Sequence, residues 1–106
     1  MKILLDECLP VDLRHGIAGH EVHSADWAGL KGRKNGELLR LAEAAGYDVL
    51  LTVDQGLPYQ NNFIDRRIAV LAVRSKTNQL EDLLPLVDLI LTAIVTLRPG
   101  EVSRVG

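Results

Sequence analysis

Three short, unbroken apolar runs constrain this chain more than any other feature of its sequence. They are Lys2 to Leu5, Asp48 to Val53 and Arg67 to Val73. Each is short and flanked by polar residues, the pattern of a β-strand buried on both faces. Helical signals separate them, and no two-residue hairpin signal joins any two strands. Strands alternating with helices argue for a parallel sheet covered by helices on both sides. At 106 residues the chain has room for one such domain and one core.

The remaining segments fit between these runs. Leu9 to Ile17 can form a helix, with Pro10 tolerated in its first turn and Gly16 or Gly19 near its end. His20 to Ser24 reads as a second short strand, polar enough to lie near a sheet edge. Ala25 to Lys34 is a loop carrying Asp26, Trp27, Lys31, Arg33 and Lys34, and Gly29 and Gly32 argue against regular structure in it. Asn35 suits the N-cap of a helix over Gly36 to Ala45, which Gly46 stops. Gln55 to Asp65 is a polar loop containing Gln60, Asn61 and Asn62. Asn78-Gln79-Leu80-Glu81 matches a capping box opening a helix to about Leu97, with Pro85 predicting a kink or a short first segment. Glu101 to Val105 is the candidate for a short last strand.

Composition limits the function. Aromatic residues are 4% of the chain, which leaves little for stacking platforms that bind single strands. Twelve basic residues against 14 acidic give a net charge of −2, so any polyanion must be held by a local patch. A single cysteine forms no internal disulfide and no zinc knuckle, which points to a reducing compartment. Asp6 and Glu7 interrupt the N-terminal apolar run, and Glu81, Asp82, Pro85 and Asp88 interrupt Leu80 to Leu97. The expectation is a cytoplasmic protein without a membrane span.

In an open parallel sheet, sites form outside the carboxyl ends of the strands. Lys2 to Leu5 and Asp48 to Val53 each end in acid there, so Asp6, Glu7 and Asp54 converge if the strands are neighbours. Glu37, in the first turn of the helix leading into the second of these strands, faces the same rim. Taken singly, Asp6 reads as a turn residue and Glu37 as a partner of the helix dipole. Together, carboxylates from three segments are costly unless a cation or proton lies between them. Oxygen-only ligation suits Mg²⁺ or Mn²⁺. Thr52 is placed to hold a water or an Asp oxygen.

Lys2-Ile3-Leu4-Leu5-Asp6-Glu7, Asn35-Gly36-Glu37-Leu38-Leu39 with Leu41-Ala42, and Val49-Leu50-Leu51-Thr52-Val53-Asp54 resemble, in this order, the motifs of PIN-like domains. The likeness runs to about Val73 and is greatest to short bacterial PIN-like proteins, often grouped with the toxins of toxin–antitoxin pairs. The resemblance implies an α/β/α sandwich with a mainly parallel central sheet and an acidic pocket for Mg²⁺ or Mn²⁺. It implies endoribonuclease chemistry, with Asp6, Glu37 and Asp54 as catalytic metal ligands. Gly56 stands where many such proteins carry a further acid, and Asn35 where relatives often have Asp. Glu7 and Asp26 are the acids at hand to supply a missing ligand.

Within that expectation, Thr52, Lys31, Arg33, Lys34 and Asn35 would contact the RNA, the basic trio through its phosphates. A solvated loop accounts for the same three cations, and a polar surface loop for Gln60, Asn61 and Asn62. A receiver-like phosphoacceptor domain also places an acidic pair after its first strand and an Asp after its third. It needs a lysine after a late strand, where this chain has Arg74 and only approximately Lys76. A non-catalytic interaction module on the same scaffold is the third possibility. Cys8 reads as a small core or helix-start residue, Trp27 as a loop anchor, and His15, His20 and His23 as structural or exposed. The nearly all-round apolar pattern of Leu80 to Leu97 points to a homo-oligomer or a cognate antitoxin packed on that helix, with complete burial in the monomer as the alternative.

Overall fold

A computed structural model of the chain describes residues 1–57 and 66–106. Its centre is a five-stranded, all-parallel sheet in the order β2-β1-β3-β4-β5. The strands are β1 (Lys2–Leu5), β2 (Glu21–Ser24), β3 (Val49–Thr52), β4 (Ala69–Val73) and β5 (Val102–Val105). The three apolar runs became the three inner strands, and β3 and β4 are buried at every residue. The more polar β2 and β5 form the edges, where half the backbone groups can reach water.

Alternation along the strands divides the interior into two cores. On one face Ile3, Leu5, Val49, Leu51, Leu71 and Val73 pack against Leu13, Leu83, Ile90 and Ile94. On the other, Leu4, Leu50 and Val70 pack against Leu38, Leu39 and Ala42. The second group belongs to α1 (Asn35–Ala44); the first is covered by the 3₁₀ segment Val11–Gly16, by α2 (Leu80–Leu83) and by α3 (Val87–Thr96). The architecture is therefore the expected three-layer α/β/α sandwich.

Local differences have local causes. Val11–Gly16 is 3₁₀ rather than α, with Leu13 N–H bonded to the carbonyl of Pro10 and Ile17 N–H to that of Arg14. At its end Gly16 lies so close to α3 that a Cβ there would be 3.2 Å from Val87 Cγ2. Lys34, not Asn35, occupies the N-cap of α1, with no side-chain bond, and Asn35 is the first helical residue. Gly46 stops that helix as expected. At φ 86° its N–H bonds to the Glu43 carbonyl and that of Tyr47 to Ala42, a Schellman closure that favours glycine.

The predicted capping box does not form. Gln79 is the N-cap of α2, and its own N–H is held by Thr77 Oγ1, whose hydroxyl donates to Asp82. Asn78 instead donates to the Cys8 carbonyl, 70 positions away. Pro85 produces the expected break: Leu84–Leu86 is 3₁₀ and separates α2 from α3. Among the described residues no helix is long and apolar enough to cross a membrane. Ile90 and Ile94 are buried, whereas Leu84, Leu89 and Val95 remain exposed, so the 80–97 segment is not wholly enclosed within the monomer.

Candidate active site at the carboxyl rim of the sheet

The sheet order reverses between β1 and β3, since the chain first steps outward to β2 and then returns to the other side of β1. Open α/β sheets bind ligands at such a switch point, outside the carboxyl ends of the strands. A cavity of about 290 Å³ lies there, lined by Asp6, Glu7, Cys8, Arg33, Lys34, Leu38, Asp54 and Leu57.

Asp6 is the most firmly held of these side chains. Its N–H extends the β1–β3 ladder by one more bond, to the Leu51 carbonyl at 2.9 Å. Its Oδ1 accepts the N–H of Glu7 at 2.9 Å, and its Oδ2 accepts the Thr52 hydroxyl at 2.7 Å. The Cys8 thiol is 3.5 Å from the same Oδ2. Thr52 is wholly buried and is the one buried polar residue among those described. Its Oγ1 also accepts the N–H of Asp54 at 3.0 Å, so one hydroxyl fastens the ends of β1 and β3 together. Asp54 is exposed, and its Oδ1 accepts the N–H of Gly56 at 2.9 Å. Gly56, where the resemblance led one to look for an acid, thus serves the Asp54 turn through its backbone.

The loop after β2 brings positive charge to this rim. Glu7 Oε2 accepts the Gly32 N–H at 3.1 Å, which ties that loop to the end of β1. Arg33 and Lys34 follow and line the cavity. Glu37 forms an ion pair with Arg33 at 3.1 Å, with both side chains about half exposed, and it is absent from the cavity lining. Lys31 is exposed on the same loop and does not line the cavity. The Asn35 side chain and residues Gln60, Asn61 and Asn62 lie outside the described part of the structure.

Among the described residues no group of three or more acidic, histidine or cysteine side chains is gathered as a cage for a metal ion. Asp6 and Asp54 share the cavity without Glu37. That pair still fits the sparser mode typical of Mg²⁺, which keeps several waters and is bound by one or two carboxylates together with substrate phosphates. Burial, followed by the neighbouring Asp6 charge, raises the Cys8 thiol above its ordinary pKa against the lowering bond from the Val53 backbone. A raised pKa disfavours the thiolate, which is the nucleophilic form.

Beside this site, Trp27, read from the sequence as a loop anchor, lies on the surface. Its side chain is 71% exposed and lies on His23, with ring centroids 4.0 Å apart. The His23 ring is held in turn by the Tyr47 hydroxyl at 2.9 Å. Thr52 and Asp54 were legible in the sequence as the end of one strand. The Cys8 and Leu57 walls and the Gly32–Glu7 tie were not, and a small side chain directly after an acidic pair was the one signal available for Cys8. Comparisons with protein-family models, curated proteins and solved structures give no match.

Proposed function

We propose that the cavity at the ends of β1 and β3 is the catalytic site of a Mg²⁺- or Mn²⁺-dependent endoribonuclease of the PIN-like type, acting as the toxin of a toxin–antitoxin pair. The observation that carries this reading is the joint presence of Asp6 and Asp54 in one cavity with Arg33 and Lys34. Opposed charges on one small cavity suit a phosphodiester, whose charge the cations accept and whose reacting centre the carboxylates face. Asp6 and Asp54 would hold the divalent ion, with Glu7 in the same lining and Glu37 adjacent through Arg33. A cation bound there supplies Lewis-acid polarisation of the phosphate and an acidified water. Thr52 and the Glu7 N–H keep the Asp6 carboxylate in one orientation, so little reorganisation is needed when substrate arrives. Arg33 and Lys34 neutralise the phosphates, and the Glu37 ion pair aligns the first of them.

Thermal unfolding with and without Mn²⁺, paired with cleavage of a single-stranded RNA, tests the reading. At a hundredfold excess over Kd the ion stabilises the fold by about 2.7 kcal/mol. The expected result is a rise in Tm and cleavage in wild type, both lost in Asp6→Asn with Asp54→Asn. No shift and no cleavage in wild type overturns the reading. The exposed apolar residues Leu84, Leu89 and Val95 are where an antitoxin or a second copy would pack under the same proposal.

One observation favours a second reading, a receiver-like phosphoacceptor. The order β2-β1-β3-β4-β5 is that of flavodoxin-like sheets, with Asp54 at the end of the central strand. Against it, among the described residues no cation following β4 or β5 lines the cavity. Intact mass after incubation with a small phosphodonor separates the two, because a phosphate gained on Asp54 supports the receiver alone.

A further inference from the structure

The carboxyl rim continues past the acidic pair into two more cavities. One, of about 210 Å³, is lined by Val53, Gln55, Val73, Arg74, Thr77 and Asn78 among others. The next, of about 490 Å³, is lined by Gln55, Arg74, Arg104, Val105 and Gly106. Gln55 joins them to the Asp54 turn, with its Nε2 donating to the carbonyls of Val53 at 3.3 Å and Val73 at 3.0 Å. No acidic side chain lines either cavity among the described residues. Arg74 is exposed and makes no ion pair among them, whereas Arg104 is already engaged within the fold.

The rim carries charge of both signs. Lys31, Arg33 and Lys34 follow β2 after Asp26, with Glu37 paired to Arg33; Asp6 and Glu7 follow β1 and Asp54 follows β3; Arg74 and Lys76 follow β4 ahead of Asp82, which is bonded to Thr77; and Arg104 lies near the end of β5. Half of the chain's 12 basic residues therefore gather on one rim of an acidic protein, on both sides of the acidic pair. Neighbouring strands are about 4.8 Å apart, so the ends of β1 and β5 are separated by about 14 Å, the reach of a few nucleotides.

We propose that a single-stranded RNA crosses this rim, with phosphates on one side of the acidic pair held by Arg33 and Lys34 and those on the other held by Arg74, assisted by Arg104. The proposal rests on reading the Asp6–Asp54 cavity as a ribonuclease site, and it makes the substrate a polymer with phosphates on both sides of the cut. Gln55, whose amide nitrogen is used within the fold, presents its remaining oxygen to the strand as it passes.

Binding without cleavage is measured in EDTA, by anisotropy of a labelled single-stranded RNA of about ten nucleotides, across a salt series. Removing one phosphate-binding cation lowers the slope of log K against log salt by about 0.7 for a single strand. Arg74→Ala is expected to remove about that much, and Arg74→Ala with Arg104→Ala at least as much, while Arg98→Ala, at the opposite rim, leaves the slope unchanged. Arg74 is exposed, so its variant folds; far-UV circular dichroism checks this. An unchanged slope in both variants, or no binding of RNA by wild type, overturns the track. Cleavage by wild type in Mn²⁺ separates the two readings. A lowered slope without cleavage keeps the track and removes the nuclease, and cleavage with an unchanged slope does the reverse.

Discussion

Replacing Thr52 by valine tests the link between the two strand ends most directly. The side chain is wholly buried, so valine fits the space, but it cannot donate to Asp6 Oδ2 or accept the Asp54 N–H. A hydrogen bond to a charged partner contributes about 1.5–3 kcal/mol. The Asp54 N–H bond is neutral and part-buried, and its loss adds up to about 1 kcal/mol. The added methyl group recovers up to about 0.8 kcal/mol by burial. The net expectation for Thr52→Val is a loss of about 1–3 kcal/mol. A chain of this length unfolds with an entropy of about 0.22 kcal/mol/K, so Tm falls by roughly 5–14 °C.

Scanning calorimetry of a double-mutant cycle isolates the interaction. Wild type, Thr52→Val, Asp6→Ala and the double variant should give a coupling of about 1–2 kcal/mol, because valine costs little once the Asp6 carboxylate is gone. Thr52→Ser keeps the hydroxyl and loses only a methyl group, so its cost should not depend on Asp6. A coupling below about 0.5 kcal/mol, the range of independent sites, would refute the assignment of Thr52 as the clamp on Asp6.

Two further expectations concern titratable groups. Glu43 Oε2 accepts the N–H groups of Arg67 at 2.7 Å and Ile68 at 3.1 Å, and the Ile68 bond leads the causes that lower its pKa. A lowered folded pKa stabilises the fold above the ordinary value near 4.5 and loses that contribution as pH falls through the folded value. Glu43→Gln should therefore be less stable than wild type at about pH 7 and converge with it as pH falls through the lowered folded value, as followed by urea denaturation. Cys8, whose pKa is raised chiefly by burial, should react with iodoacetamide more slowly in the folded protein than in concentrated guanidinium chloride at the same pH; equal rates would contradict its protected position.

The sheet was legible because strands buried on both faces leave an unbroken apolar signature, and Asp6 and Asp54 were legible because each follows such a strand. What escaped was set by contacts distant in sequence. Asn78 carries the letters of a cap yet spends its amide on the Cys8 carbonyl. Val11–Gly16 has helical composition, but it is only six residues long and its glycine packs closely on Val87. Glu37 sits in the first turn of its helix as expected, while the nearest cation, Arg33 at four residues' distance, takes its carboxylate. Local patterns thus located the rim, and competition among neighbours decided which side chains line it.

Trp27 is the single tryptophan of the chain, and it stands in water on the surface rather than in either core. With 71% of its surface exposed, its emission in the folded protein is expected to be close to that of a solvated indole, and unfolding by heat or denaturant should shift its wavelength little. The usual fluorescence melt is therefore nearly blind to the collapse of this sheet. The same indole reports on its own surroundings instead, namely the stacked His23 ring and whatever comes to rest against the β2 edge.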